Sequence, residues 1–339
     1  MQCSPSHLLS VIFVGTNDAT FESVRKLADL VGVEITRICA NDGRDGVLRI
    51  TSQGLPEGYV RAGFHPLFTP YFSAQTFILD CKKETEKLLD LLVSVGVTAR
   101  GKIIGIAGAH GGAGTSSMAA CLARVVASCT SASVSILDLN PASAGIELLL
   151  SIVGTPGNRW SDLHGRGALL AGRLNDSLPQ WHGIRVLSAD ARGAVPNNID
   201  TATAAIAAMA QVNEWSVLDL PPSSLMKNTP ESHLAQWCDY LLVLTRTDSR
   251  HLIGTHTLLA SLAMSVPVYV AAVGARSKNH CAHIAQTLNV PGVFRVREDS
   301  RYHAALDHGV DIGDRARSSY VRDVQAIYAH IETVVGEIK

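Results

Sequence analysis

Apolar residues in this chain come in short unbroken runs separated by helix-length amphipathic stretches. Val11-Ile-Phe-Val14 is one such run, closed by Gly15, and has the pattern of a strand buried on both faces. Phe21, Val24, Leu27, Ala28 and Val31 follow at helical spacing, and residues 33–38 read as a second strand. Gln53-Gly-Leu-Pro-Glu-Gly58 is a turn cluster; residues 76–79 predict a strand, and residues 84–95 predict a helix with Leu88, Leu89, Leu91, Leu92 and Val95 facing inward. Residues 96–101 read as a short connector. Beyond it the alternation becomes regular, with strands predicted at 102–107, 133–139, 183–188, 216–220, 240–245, 266–273 and 293–296. Helices are predicted at 116–127, 201–212, 230–237, 250–264, 280–288 and 301–308. Such alternation implies an α/β fold whose mainly parallel sheet carries helices on both faces.

Composition narrows the class. Hydrophobic residues fill 47% of the 339 positions and charged residues 17%, against roughly 25% charged in an average soluble chain. That is enough apolar surface for sizeable cores, so disorder and small disulfide-stapled scaffolds are excluded. Lys and Arg number 29 against 30 Asp and Glu, for a net charge of -1, which removes any global electrostatic case for a nucleic-acid or anionic-membrane partner. No apolar run approaches the ~18 residues of a spanning helix. The seven cysteines are scattered without a CxxC pair, as expected of reduced thiols in a cytoplasmic protein.

The chemistry concentrates in one stretch. Ile103-Ile-Gly-Ile-Ala-Gly-Ala-His110-Gly111-Gly112-Ala113-Gly114-Thr115-Ser116-Ser117-Met118 is an apolar strand, a glycine-rich turn, and hydroxyls opening a helix. Glycines let backbone N–H groups converge on an anion without a Cβ in the way, and a helix N-terminus adds partial positive charge at the same place. Three glycines in four positions exceed what a plain strand-to-helix turn needs. Ser116 stands where a P-loop hydroxyl helps hold Mg²⁺. The lysine expected before the hydroxyls is Thr115, and the residue before the glycine pair is His110, mostly neutral at pH 7.

This stretch resembles the deviant Walker A motif of the ParA/MinD family, in which lysines occupy both those places. Within that family it is most similar to the CpaE/TadZ branch and to actinobacterial septum site-determining proteins. Ser135-Ile-Leu-Asp138-Leu-Asn140-Pro resembles the family's second acidic motif, where two carboxylates manage Mg²⁺ and the attacking water; here Asn140 replaces the second. Trp215-Ser-Val-Leu-Asp219-Leu-Pro-Pro is similar to its Walker B segment, and residues 238–248 to the next strand and its loop. The resemblance implies ATP or ADP with Mg²⁺, the cup being His110 to Ser117 and the metal ligands Ser116, Asp138 and Asp219. An amide cannot take a proton, so Asp138 with Asn140 forms a degenerate catalytic pair. The missing lysine charge is expected to cost several kcal/mol of barrier, a rate loss of about 10³-fold or more.

The same resemblance sets the expected organisation: a shortened, atypical receiver-like domain at 1–95, a linker at 96–101, a ParA/MinD-like P-loop domain at 102–318, and a C-terminal amphipathic helix at 319–339. The first domain lacks a phosphoacceptor, since Val47-Leu-Arg-Ile-Thr51 carries no Asp. In the tail, Tyr320, Val324, Ile327, Tyr328, Ile331, Val334, Val335 and Ile338 form one helical stripe. Its slightly acidic polar face favours packing on protein over lipid, so any membrane association is indirect. Arg276, Lys278, Arg295, Arg297 and Arg301 read as a solvated rim broken by Glu298 and Asp299, with no nucleic-acid partner implied.

Function then follows as a regulatory or localisation protein for septum-site determination or Tad/Flp pilus assembly, with weak or absent hydrolysis. Its partners are proteins of the division or pilus machinery, and the family precedent adds a homodimer. Two alternatives stand beside it. One is an active ATP switch, with His110 protonated by bound triphosphate. The other is a dinucleotide-dependent oxidoreductase reading a ribose with Asp138, although Ser117 stands where GxGxxG wants Gly or Ala.

Overall fold

Apolar strands and their covering helices assemble into two separate sheets in the computed structural model. It describes residues 9–31, 33–40, 42, 44–65, 76–98, 100–163, 169–195, 199–262, 266–299, 312–313 and 317–337. These fall into two units, one ending at Arg100 and one beginning at Gly101, with Leu169–Leu174 grouped with the first.

The first unit contains β1 (Leu9–Val14), α1 (Asp18–Val31), β2 (Ile35–Ile38), β3 (Gly46–Thr51), β4 (Tyr59–Phe64), β5 (Phe77–Asp80) and α2 (Thr85–Thr98). The sheet order is β2-β1-β3-β4-β5. That is the order of flavodoxin-like folds, but β4 pairs antiparallel with both β3 and β5. The strand β4 escapes the sequence pattern because Arg61 and Gly63 interrupt it, although Val60 and Ala62 alternate inward and are fully buried. Val11, Phe13, Leu48 and Ile50 meet Val24, Leu88 and Leu92 in its core. Helix α2 continues to Thr98, so the first part of the predicted connector is helical. A lone Gly96 in a helical stretch weakens a helix without ending it.

The second unit runs β6 (Lys102–Gly108), α3 (Thr115–Thr130), β7 (Val134–Asp138), α4 (Ile146–Leu149), the end of α5 (Ala171–Ser177) from Asn175 on, β8 (Gln180–Trp181), β9 (Ile184–Leu187), α6 (Ile199–Val212) and β10 (Trp215–Leu220). It continues with α7 (Ser232–Ala235), β11 (Tyr240–Arg246), α8 (Ser249–Ser261), β12 (Val268–Val273), α9 (Lys278–Leu288), β13 (Val293–Val296) and α10 (Ser319–Glu337). Eight strands lie in the order β13-β12-β11-β6-β10-β7-β9-β8, parallel throughout except the short β8. Strand β6 is therefore central, between β11 and β10. β7 and β10 are buried at every position, which is why they read as mainly apolar runs rather than alternations, and their serines, Ser135 and Ser216, satisfy each other at 2.9 Å.

The tail joins this core. Helix α10 lies on α3 and β13, with Tyr320, Val324, Ile327, Tyr328 and Ile331 buried and Val334 packed against them. The predicted stripe is thus used internally; the side chain of Val335 and all of Ile338 lie outside the described residues. The Arg297 guanidinium pairs at 2.8 Å with Asp323 of α10, and Arg295 stands 4.0 Å from the same carboxylate, so two residues of the predicted basic rim fasten the tail. Arg301 and the helix predicted at 301–308 lie outside the described residues. Among the described residues, no helix is long and apolar enough to cross a membrane.

Candidate functional site at the carboxyl edge of the central strands

Strand β6 delivers the glycine loop to the carboxyl edge of the sheet, where open α/β folds bind ligands. Ala109 N–H donates to Leu244 O of β11 at 2.9 Å, fixing the start of the loop. Gly112 and Gly114 have φ of +71° and +87°, a left-handed geometry that other L-residues resist. A Cβ built on Gly111, Gly112 or Gly114 meets no atom within 4 Å, so the cup is open rather than filled by packing. Ala113 points inward and is buried. Helix α3 starts at Thr115 with Ser116 and Ser117 in its first turn, and has no side-chain cap and no acidic residue there. Its leading amides therefore have no side-chain acceptor, the local condition for holding an anion.

Asp219 supplies the most informative geometry. It is the penultimate residue of β10, is only 1% exposed, and accepts the Ser116 hydroxyl on Oδ2 at 2.5 Å. Its Oδ1 is buried without a hydrogen-bond partner. Burial drives the carboxyl up to about 7; the nearby Asp138 charge adds to this, and the Ser116 and Thr115 hydroxyls oppose it. An orphaned buried carboxylate oxygen beside a hydroxyl is the donor set of a hard divalent cation. These residues fit Mg²⁺.

Asp138 lies opposite Asp219 in the parallel ladder, but its oxygens are already taken. Oδ2 accepts from Ser143 Oγ at 2.8 Å and from Ile146 N at 3.0 Å, and Oδ1 accepts from Asn140 N at 3.3 Å. Burial raises its pKa, with these donors pulling the other way. Asn140 uses its own Oδ1 for Ala142 N at 3.1 Å. The sequence-predicted pair thus shapes the loop leading to α4, with both oxygens of Asp138 engaged by donors of that loop.

His110 lies on the other flank. Its Nε2 accepts the backbone N–H of Arg246 at 3.1 Å while Nδ1 bonds Gly111 O at 3.0 Å, an arrangement that needs the neutral Nδ1–H tautomer. Burial holds its pKa below the usual imidazole value. Its ring lies 3.8 Å from that of His251, whose Nδ1 pairs with Asp248. A protonated His110 would lose the Arg246 amide, which counts against the imidazolium alternative. Arg246 itself escaped the sequence reading: it is one more polar residue past an apolar strand, and only the strand order places it beside the loop.

No protein-family model matches the chain. Two uncharacterised proteins of Mycobacterium tuberculosis, from strains CDC 1551 / Oshkosh and ATCC 25618 / H37Rv, are 30% identical over 216 residues, covering 62% of this chain and 58% of their own length. The chain thus spans under three fifths of these curated relatives. Among solved structures, the ParA family ATPase of Chlorobium tepidum TLS superposes with a TM-score of 0.54 at 14% identity, covering 69% of this chain and 99% of that one. The septum site-determining protein MinD of Pyrococcus horikoshii OT3, in complex with Mg-ADP, gives 0.51 at 16% identity, covering 69% and 97%. At such identities the likeness establishes architecture: the second unit has the ParA/MinD-like P-loop fold, with its glycine loop at the carboxyl edge of the sheet.

Proposed function

We propose that this chain is a nucleotide-binding regulatory or localisation protein of ParA/MinD type that holds ATP or ADP with Mg²⁺ and turns it over negligibly. The observation that carries the reading is the buried, unpartnered Oδ1 of Asp219 beside the Ser116 hydroxyl at the mouth of an open glycine cup. The amides of Gly111 to Ser117 would hold the phosphates, and Ser116 with Asp219 the cation. The bound cation supplies charge neutralisation at the phosphates. Negligible turnover follows from what stands in the reactive places. Thr115 and His110 bring no fixed positive charge, and Asn140 brings no base, a loss of about 10³-fold or more in rate. The Mg-ADP complex of the Pyrococcus MinD supports the choice of ligand. The role in division or in pilus assembly, the protein partners that go with it, and docking through the first unit rest on the sequence resemblance.

Calorimetric titration of the full chain with Mg-ATP and Mg-ADP tests this reading. Saturable binding that weakens when EDTA removes the cation, together with no phosphate release above the buffer rate, is the expected result. Absence of binding would leave only the inherited fold. Turnover that disappears in Asp219→Ala would make the chain a working ATPase instead.

A further inference from the structure

We propose that Arg246 is a phosphate-binding residue of this site, supplying from the end of β11 the positive charge that the glycine loop itself lacks. The inference rests on the nucleotide reading above and extends it to a residue outside the loop.

Arg246 is the last residue of β11, the strand hydrogen-bonded alongside β6. Its Nη2 donates to Gly112 O at 3.4 Å, so the guanidinium overhangs the loop where a Cβ meets nothing within 4 Å. Its backbone N–H is held by His110 Nε2, and the His110 ring lies against that of His251, tilted by 36°. The residue in the first lysine place thus brings no charge of its own. It ties the loop to the strand end that carries one. Across the loop, the orphaned Oδ1 of Asp219 marks the cation subsite, which makes the space between them a place for polyphosphate rather than an uncapped helix end alone.

The guanidinium has a second partner. Its Nη1 pairs with Glu298 Oε1 at 3.0 Å, and the two side chains are 45% and 54% exposed. An exposed pair of this kind contributes little stability, so a phosphate can displace Glu298 at small cost. Arginine's fork then has two donors to offer a phosphate edge. Glu298 acts as a competitor that occupies the guanidinium in the ligand-free protein.

Mg-ATP and Mg-ADP titrations of the full chain, at low and at moderate salt, compare wild type with Arg246→Ala, Arg246→Lys and Glu298→Gln. Arg246→Ala is expected to weaken binding about 10- to 100-fold, the loss of a charge-assisted hydrogen bond, and to flatten the salt dependence. Arg246→Lys should recover part of the loss, because it keeps the charge without the fork. Glu298→Gln should bind as tightly as wild type or severalfold tighter. Retained binding within twofold in Arg246→Ala, with magnesium dependence intact, overturns the inference and leaves the nucleotide reading standing. Weaker binding in Glu298→Gln overturns the competitor role. A wild-type chain that binds neither nucleotide removes both the inference and the reading beneath it.

Discussion

In magnesium-free buffer, Asp219→Asn is expected to make the protein more stable than wild type, by a margin that widens as pH rises. The folded carboxyl sits at about 7, against 3.8 when free. The folded state therefore keeps a proton that the unfolded chain has released, and wild-type stability falls across the window from about pH 4 to pH 7. At 1.36 kcal/mol per unit, the advantage of the amide should grow by about 2–3 kcal/mol between pH 5 and pH 8, then level off. Asparagine retains an oxygen for the Ser116 hydroxyl but removes the buried charge. Guanidinium unfolding of both proteins at the two pH values in EDTA gives the comparison. A margin independent of pH, or a less stable variant at pH 8, would show that Asp219 is not a strained carboxylate. The same variant should lose the magnesium dependence of nucleotide binding, so the group that burdens the empty fold is the one a cation would relieve.

The sequence was most legible where strands are buried on both faces. Residues 102–107, 216–220 and 240–245 read as mainly apolar strands, and the structure pairs them side by side at the centre of the sheet. The glycine loop was legible for a related reason, since clustered glycines before hydroxyls point to backbone geometry rather than packing, and two of the three adopt positive φ. Harder to read were features set by pairing across the fold. Nothing local marks β4, whose Arg61 and Gly63 face away from the core that buries Val60 and Ala62.

Side-chain roles were less legible than positions. Asp138 and Asp219 end adjacent strands and look equivalent in sequence, yet one is satisfied by Ser143, Ile146 and Asn140 while the other keeps an orphaned oxygen. That difference depends on where the loop after each strand turns. His110 has the same lesson in reverse: read as a weak stand-in for a lysine, it instead accepts an amide from 136 residues away. Arg246 acquires its place at the loop only through the β11–β6 pairing.

Arg159→Ala is expected to destabilise the protein by about 3–5 kcal/mol, the usual consequence of stranding one partner of a buried ion pair. Arg159 Nε donates to Glu147 Oε2 at 2.6 Å, with both residues almost fully buried, and the other guanidinium nitrogens serve Gly157 O at 2.7 Å and Thr155 O at 3.1 Å. Truncation leaves a carboxylate and two carbonyls without these donors. A double variant, Glu147→Leu with Arg159→Met, replaces the pair by apolar side chains of similar size and should regain the share owed to the stranded charge. A deficit of roughly 1–3 kcal/mol should remain for the carbonyls. Urea unfolding midpoints of the three proteins test this; a single variant within 1 kcal/mol of wild type, or a double variant no better than the single, contradicts it. The effect reaches the site through the chain itself. Trp160, next to Arg159, donates its indole N–H to Asp138 O at 2.6 Å, and Ile146, next to Glu147, donates its backbone N–H to the Asp138 carboxylate at 3.0 Å. The ion pair therefore braces two of the contacts that hold Asp138 in place beside Asp219, and Arg159→Ala should weaken Mg-nucleotide binding even at temperatures where the fold survives.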